Sequence, residues 1–157
     1  MESGATFSED RVYRYSLWRK WDASQLAIAF IGLNPSTATE VEDDPTVRRC
    51  IGYAKAWGYG AMFMLNLFAY RSTDPRKLRE VADPVGPEND FEILKAVVDK
   101  SHSAIACWGN HGALYGRGRA VHKMLAHRLR CFGLTAAQQP KHPLYLPKDA
   151  RVVPFKP

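Results

Sequence analysis

The chain has 157 residues, of which 46% are hydrophobic and 24% are charged. This length suits one domain with a sizeable core, and the composition is that of a globular rather than a disordered protein. The first residues lack the basic and apolar regions of a signal peptide, and no apolar run approaches the roughly 18 residues of a membrane span. We therefore expect one cytoplasmic domain over residues 1–157, ordered from about 11 to 155, without a membrane partner.

The cysteine positions limit the kinds of structural site in the chain, and the charge distribution limits the kinds of partner. Cys50, Cys107 and Cys131 lie far apart and form no C-x-x-C pair, which argues against a disulfide framework and a zinc ribbon. The net charge of +6 is concentrated in residues 101–157, which carry nine Lys or Arg and one acidic residue. This asymmetry favours a polyanionic partner, first nucleic acid and DNA before RNA. A solvated basic helix face without a partner is the alternative.

The first predicted elements are two strands. Apolar and aromatic residues alternate with basic residues over 11–21, which predicts an edge strand with one wet face. The apolar run Leu26–Ile31 predicts a buried central strand. Gly32-Leu33-Asn34-Pro35 follows it, and the glycine and proline there force a turn. Asn34 is therefore presented at the carboxyl end of the strand.

A helix and a further strand are predicted next. Asp44 and Pro45 are typical of a helix N-cap and first helical residue, so we expect a helix from about 46 to 57. Residues 61–67 form a second apolar run that predicts a strand. The run is interrupted near its end by Asn66, whose buried amide needs a hydrogen-bond partner.

The second half of the chain predicts further alternation of helices and strands. We expect a helix over 89–100, a buried strand over 104–108, a long basic helix over 111–130 and a short strand over 131–134. This order predicts a three-layer α/β/α fold. Its central sheet is expected to be mainly parallel and four-stranded, with an N-terminal edge strand or hairpin added.

Polar residues follow three of the predicted strands. Asn34 follows the first, Asn66 ends the second, and Asn110 follows the third. Because parallel strands place their carboxyl ends along one edge of a sheet, we expect these three amides to converge on one crevice. For Asn34 alone, the alternative is an amide that only caps a turn.

A histidine in a proline-rich loop is the fourth polar element. His142 lies between Pro140 and Pro143, which stiffen the loop. A histidine held in this way can donate a hydrogen bond to a developing anion. An ordinary surface histidine is the alternative.

Four motifs follow one another in an order that resembles the uracil-DNA glycosylase superfamily. They are Gly32-Leu33-Asn34-Pro35, Met64-Leu65-Asn66, Cys107-Trp108-Gly109 and His142-Pro143-Leu144. The superfamily has strands ending in G-x-[DN]-P, in Asn and in W-G, followed by a late loop similar to H-P-S. Over nearly all of residues 11–155, the chain also resembles a bacterial and phage family of unknown function.

The superfamily resemblance implies roles for individual residues. Asn34 would hold the attacking water, Asn66 would contact the polar edge of a pyrimidine, and His142 would stabilise negative charge on the departing base. The late loop departs from the superfamily pattern, because leucine follows the proline where the superfamily has serine. The other residues expected to bind substrate are Gly32, Pro35, Ser36, Phe63, Phe68, Asn110 and Leu144.

The implied activity is hydrolysis of an N-glycosidic bond of a modified or mismatched base, without a metal or another cofactor. Basic residues of the last third would contact the phosphate backbone, where they supply affinity rather than sequence specificity. The residues expected to do so are Arg117, Arg119, Lys123 and Lys141. The alternative is a non-catalytic module on the same fold that binds nucleic acid or a nucleotide.

Overall fold

A computed structural model describes residues 1–156 as a mixed α/β fold with a single seven-stranded sheet. The strands are β1 (Glu2–Phe7), β2 (Arg14–Lys20), β3 (Ala27–Gly32), β4 (Ala61–Asn66), β5 (Ser103–Ala106), β6 (Leu129–Cys131) and β7 (Val153–Pro154). They lie in the order β1-β2-β4-β3-β5-β6-β7. Strands β4, β3, β5 and β6 pair in parallel, whereas β1 with β2, β2 with β4 and β6 with β7 pair antiparallel.

The α/β class is confirmed, but the sheet is wider and more mixed than the predicted four-stranded one. The predicted edge strand over 11–21 is internal as β2, because β1 covers its outer side. The basic residues of β2 do not form a solvent-exposed face. Arg14 and Arg19 are each only 2% exposed, and both donate hydrogen bonds to groups of other segments.

The helices are α1 (Pro45–Ala56), α2 (Asn89–Leu94) and α3 (Arg117–Leu125). Asp44 caps α1 as predicted, because its side chain accepts a hydrogen bond of 2.8 Å from the Val47 amide. A π-helical turn continues α2 to Asp99. Short 3-10 helices span 75–79, 110–116, 126–128 and 143–145.

The predicted long basic helix over 111–130 is broken into three parts. Leu114 and Tyr115 have non-helical backbone angles, and Tyr115 has a φ of 55°. At the other end, Ala126 has a φ of 50°, so α3 stops at Leu125. The following strand, β6, therefore begins earlier than the predicted residues 131–134.

Helices cover both faces of the sheet. Helix α1 packs on one face, where Cys50 and Ile51 join Phe30 and Met64 in a buried cluster. Helices α2 and α3 pack on the other face of the sheet. There they contact the strand residues that alternate with Phe30 and Met64 and therefore point to the opposite side. Within residues 1–156, no helix is both long enough and apolar enough to cross a bilayer.

Candidate functional site

A cleft of about 470 Å³ lies at the carboxyl ends of β3, β4 and β5, and we call it the carboxyl-edge cleft. The strand register brings these ends together, since Gly32 pairs with Asn66 and Ile31 with Ala106. The turn after β3, the N-terminus of α1, the residues after β5 and His142 complete its wall. A volume of this size suits a small ligand or one nucleotide unit.

Asn34 lies in the cleft on the turn after β3, and its side chain is held in one orientation. Its Nδ2 donates to the carbonyl oxygen of Ser72 at 2.9 Å and to that of Pro35 at 3.3 Å. Since both contacts use the amide nitrogen, the Oδ1 atom remains free to accept a hydrogen bond. Asn34 can therefore hold a water molecule through its oxygen.

Asn66, at the end of β4, is oriented by a buried arginine. Arg14 Nη2 donates to Asn66 Oδ1 at 3.1 Å, and because arginine only donates, the contact identifies this atom as the oxygen. The amide nitrogen therefore points elsewhere, and a Cβ on Gly32 would lie 3.1 Å from it. No residue within 1–156 accepts a hydrogen bond from this nitrogen. Asn66 thus offers a donor to a ligand.

Arg14, like Asp44, is a cleft residue that the sequence analysis did not assign to the site. Besides its contact with Asn66, its Nη1 donates to the Ala38 carbonyl at 3.3 Å, while its buried Nε has no partner among the described residues. Burial lowers the pKa of its guanidinium to about 10, and Asp44 partly opposes this shift. The group remains charged at neutral pH. No aspartate or glutamate within 1–156 forms an ion pair with it.

His142 lines the cleft and has one ring nitrogen free to donate. Its Nδ1 accepts a hydrogen bond of 3.2 Å from the Leu144 amide, so the neutral ring carries its proton on Nε2. Burial lowers the pKa of His142, and the nearby charge of Asp44 opposes the shift. The neutral form with an Nε2–H donor therefore predominates at pH 7.

Asp44 is the one carboxylate that lines the cleft within residues 1–156. It is 9% exposed, and its Oδ1 is engaged in capping α1 through the Val47 amide. The loop before it is held by Arg19, which contacts Asp43 at 2.8 Å and the Thr39 carbonyl at 2.7 Å. The cleft therefore contains one fixed positive group and one fixed negative group.

The structure brings most of the predicted substrate-binding residues to the cleft, but not the two phenylalanines or Leu144. Phe68 is completely buried in the core beneath α2 and α3. Phe63 is half-buried against the same core, and Leu144 lies in the short helix after His142 without lining the cleft. The predicted residues that do line it, besides those described above, are Gly32, Pro35, Ser36 and Asn110.

Arg117 is not available as a surface cation for a phosphate backbone. Its Nε donates to the Leu67 carbonyl at 2.8 Å, its Nη2 pairs with Asp90 at 2.5 Å, and the residue is 8% exposed. It therefore ties α3 to the core. The other three cations predicted to contact the backbone are exposed, namely Arg119, Lys123 and Lys141.

A second groove lies at the opposite edge of the sheet, around the first residues of β5 and β6 and next to Tyr59, which precedes β4. It has a volume of about 370 Å³. Its ionisable lining residues are arginines and histidines, apart from one tyrosine. We call it the amino-edge groove, and its ionisable lining residues are Tyr59, His102, His127, Arg128 and Arg130. Part of the positive charge of the last third thus lies away from the carboxyl-edge cleft.

The cysteines lie apart from both sites. Cys50, Cys107 and Cys131 are free and buried. Burial raises the pKa of the Cys50 thiol, and contact with Cys107 raises it further. In the part of the chain that the structure describes, no three His, Cys, Asp or Glu side chains form a group that could hold a metal ion.

Comparison with known proteins gives a family but no activity. A family model described as "Protein of unknown function (DUF1643)" matches residues 14–144. Neither the curated proteins nor the solved structures contain a match to the chain. Nothing in these comparisons supports a relationship to the uracil-DNA glycosylase superfamily, so that resemblance stays a prediction. The chain belongs to the family of unknown function DUF1643.

Proposed function

We propose that the chain is a hydrolase that cleaves the N-glycosidic bond of a base in nucleic acid. Asn34 holds the attacking water, whereas Asn66 and His142 donate hydrogen bonds to the base. A base within a duplex first leaves the stack to reach the cleft. Lys141, exposed beside His142, contacts the phosphate backbone. The order of the four sequence motifs supports this proposal.

The charges of the cleft suit this reaction. Breaking an N-glycosidic bond develops positive charge on the sugar and negative charge on the base. Arg14, the Asn66 amide nitrogen and His142 Nε2 supply the positive charge and the donors that stabilise an anionic base. The Asp44 carboxylate supplies the negative charge that stabilises the sugar cation. Because these groups are fixed before a ligand arrives, little reorganisation opposes the reaction.

The observation that carries the proposal is the pair of fixed amides. Asn34 has its nitrogen bound and its oxygen free, whereas Asn66 has its oxygen bound and its nitrogen free. One amide is therefore set to accept from a water and the other to donate to a base, although both residues are asparagines.

The test is strand cleavage of labelled oligonucleotides. Duplexes that carry uracil, hydroxymethyluracil or a mismatched thymine are incubated with the protein and then treated with alkali, which breaks the strand at sites without a base. We expect cleavage with at least one substrate, and a loss of about 10²-fold or more in Asn34→Ala. The control is Ser24→Ala, on an exposed turn away from the cleft. Absence of cleavage from all substrates would contradict the proposal.

A non-catalytic nucleic-acid-binding module is the second candidate, and the amino-edge groove favours it. The basic side chains of that groove lie at the opposite edge from the two amides, where they can contact phosphates without taking part in hydrolysis. Retarded migration of the same oligonucleotides without cleavage would support this candidate. Charge reversal of Arg128 and Arg130 should then abolish the retardation, while Asn34→Ala should leave it intact.

A further inference from the structure

We propose that Asp44 is the general base of the reaction and takes a proton from the water that Asn34 holds. This inference rests on the proposed hydrolase function. It assigns a catalytic role to a residue that has no counterpart among the four sequence motifs. In sequence, Asp44 is a helix N-cap preceded by an acidic loop, and only the fold brings it to the cleft.

The reaction needs a proton acceptor that Asn34 cannot supply. An amide oxygen accepts a hydrogen bond, but it does not take up a proton near neutral pH. The two Asn34 nitrogen contacts, to Ser72 and Pro35, hold the amide in an orientation suited to placing a water. Another group in the cleft must therefore receive the proton as the water attacks.

The two histidines of the cleft do not meet this need. His142 uses its unprotonated Nδ1 to accept from the Leu144 amide, so its neutral ring offers only a donor to the cleft. His111 lines the cleft, but its side chain is exposed and no hydrogen bond within residues 1–156 fixes it. Asp44 is the carboxylate that remains.

Asp44 has both the free oxygen and the rigidity that a general base requires. Its Oδ1 accepts from the Val47 amide, and Oδ2 has no hydrogen-bond partner within residues 1–156. Arg19 donates four hydrogen bonds to residues 39–43 and two to carbonyls of strands β1 and β2, and these hold the preceding loop. The charge of Asp44 acts on both Arg14 and His142, which agrees with its position among the polar groups of the cleft.

The proposed step balances without a further reactant. The water oxygen forms a bond to the anomeric carbon of the sugar, and the bond from that carbon to the base nitrogen breaks. The electron pair of the broken bond goes to the base, whose negative charge the donors of the cleft stabilise. The Asp44 carboxylate receives one proton from the water and then releases it to the base or to solvent.

The experiment compares Asp44→Asn with wild type on a cleaved oligonucleotide. Asparagine caps a helix about as well as aspartate does, so the variant keeps the α1 cap but cannot act as a base. We expect the single-turnover rate constant to fall about 10²- to 10⁴-fold. The dissociation constant and the Tm should stay close to wild type. Glu42→Gln is the matched control, because it removes an exposed carboxylate of the same loop that does not line the cleft.

A second variant separates catalysis from capping. Asp44→Ala removes both the base and the cap, so its Tm and its rate should both fall. Added formate, a small carboxylate, should restore part of the rate to Asp44→Ala without raising its Tm. If Asp44 has only a structural role, formate should not restore the cleavage rate of Asp44→Ala.

The remaining outcomes test the role of Asp44 as the base separately from the hydrolase function. If Asp44→Asn cleaves within about threefold of wild type while Asn34→Ala is inactive, Asp44 is not the base and the hydrolase function stands. If wild type cleaves none of the oligonucleotides, both proposals are overturned. A rate lost in Asp44→Asn together with an equal loss of oligonucleotide binding also overturns the role as base.

Discussion

Replacing Asn66 by aspartate and by leucine tests whether the contact with Arg14 stabilises the fold. Burial lowers the pKa of Arg14 to about 10, a shift that corresponds to about 3 kcal/mol against the charged form. Aspartate keeps an acceptor for Arg14 Nη2 and adds a compensating charge, but its own burial costs a comparable amount. We expect Asn66→Asp to change the free energy of unfolding by about 1 kcal/mol or less.

Leucine has the same number and branching of side-chain heavy atoms, but it removes the acceptor. A hydrogen bond to a charged group contributes about 1.5–3 kcal/mol, so Asn66→Leu should be less stable than Asn66→Asp by about that amount. For a domain of this size, the difference in Tm is about 3–12 °C. Both variants lack the amide nitrogen, so both should bind the base about tenfold or more weakly. Thermal melting followed by circular dichroism checks the stabilities, and equal Tm values for the two variants would refute the reasoning.

Three further predictions concern other residues of the site and its surroundings. Gly32→Ala places a Cβ 2.8 Å from Met64 Cε and 3.1 Å from Asn66 Nδ2. The flexible end of Met64 can shift aside, so circular dichroism should show an intact fold, whereas the affinity for the free base, measured by calorimetry, should fall. Arg117→Ala should lower the Tm because it removes the buried hydrogen bond to the Leu67 carbonyl and the ion pair with the exposed carboxylate of Asp90, whereas Arg119→Ala, on the exposed face of α3, should leave the Tm within about 2 °C. Burial lowers the pKa of His142 in the folded state. The neutral imidazole therefore stabilises the fold above about pH 6.5, and this contribution is lost as the pH falls through the folded-state pKa. His142→Asn should therefore lose less stability than wild type in denaturant titrations between about pH 7 and pH 5; an equal loss would contradict the shift.

The elements that follow from local signals could be predicted from the sequence. The cap at Asp44 depends on residues within one turn of α1, and the central strands are continuous apolar runs. The convergence of Asn34, Asn66 and Asn110 on one cleft follows from the parallel arrangement of β3, β4 and β5. A polar residue directly after a buried strand was therefore an informative signal.

The buried arginines could not be predicted, because the groups that satisfy them are distant in sequence. Arg14 donates to Ala38 and Asn66, and Arg117 donates to Leu67 and pairs with Asp90. In the sequence alone, basic residues that alternate with aromatic residues indicate a strand with one solvent-exposed face. Only the positions of carbonyl oxygens in the fold show which arginines are internal.

The most direct test of the central claim is a titration with the free base followed by nuclear magnetic resonance. The protein is labelled with ¹⁵N, and the free base of a cleaved substrate is added. We predict that the side-chain NH₂ signal of Asn66 and the Nε2 signal of His142 shift together and saturate with one dissociation constant. Shifts confined to Tyr59, Arg128 and Arg130 of the amino-edge groove, with Asn66 unchanged, would contradict the account.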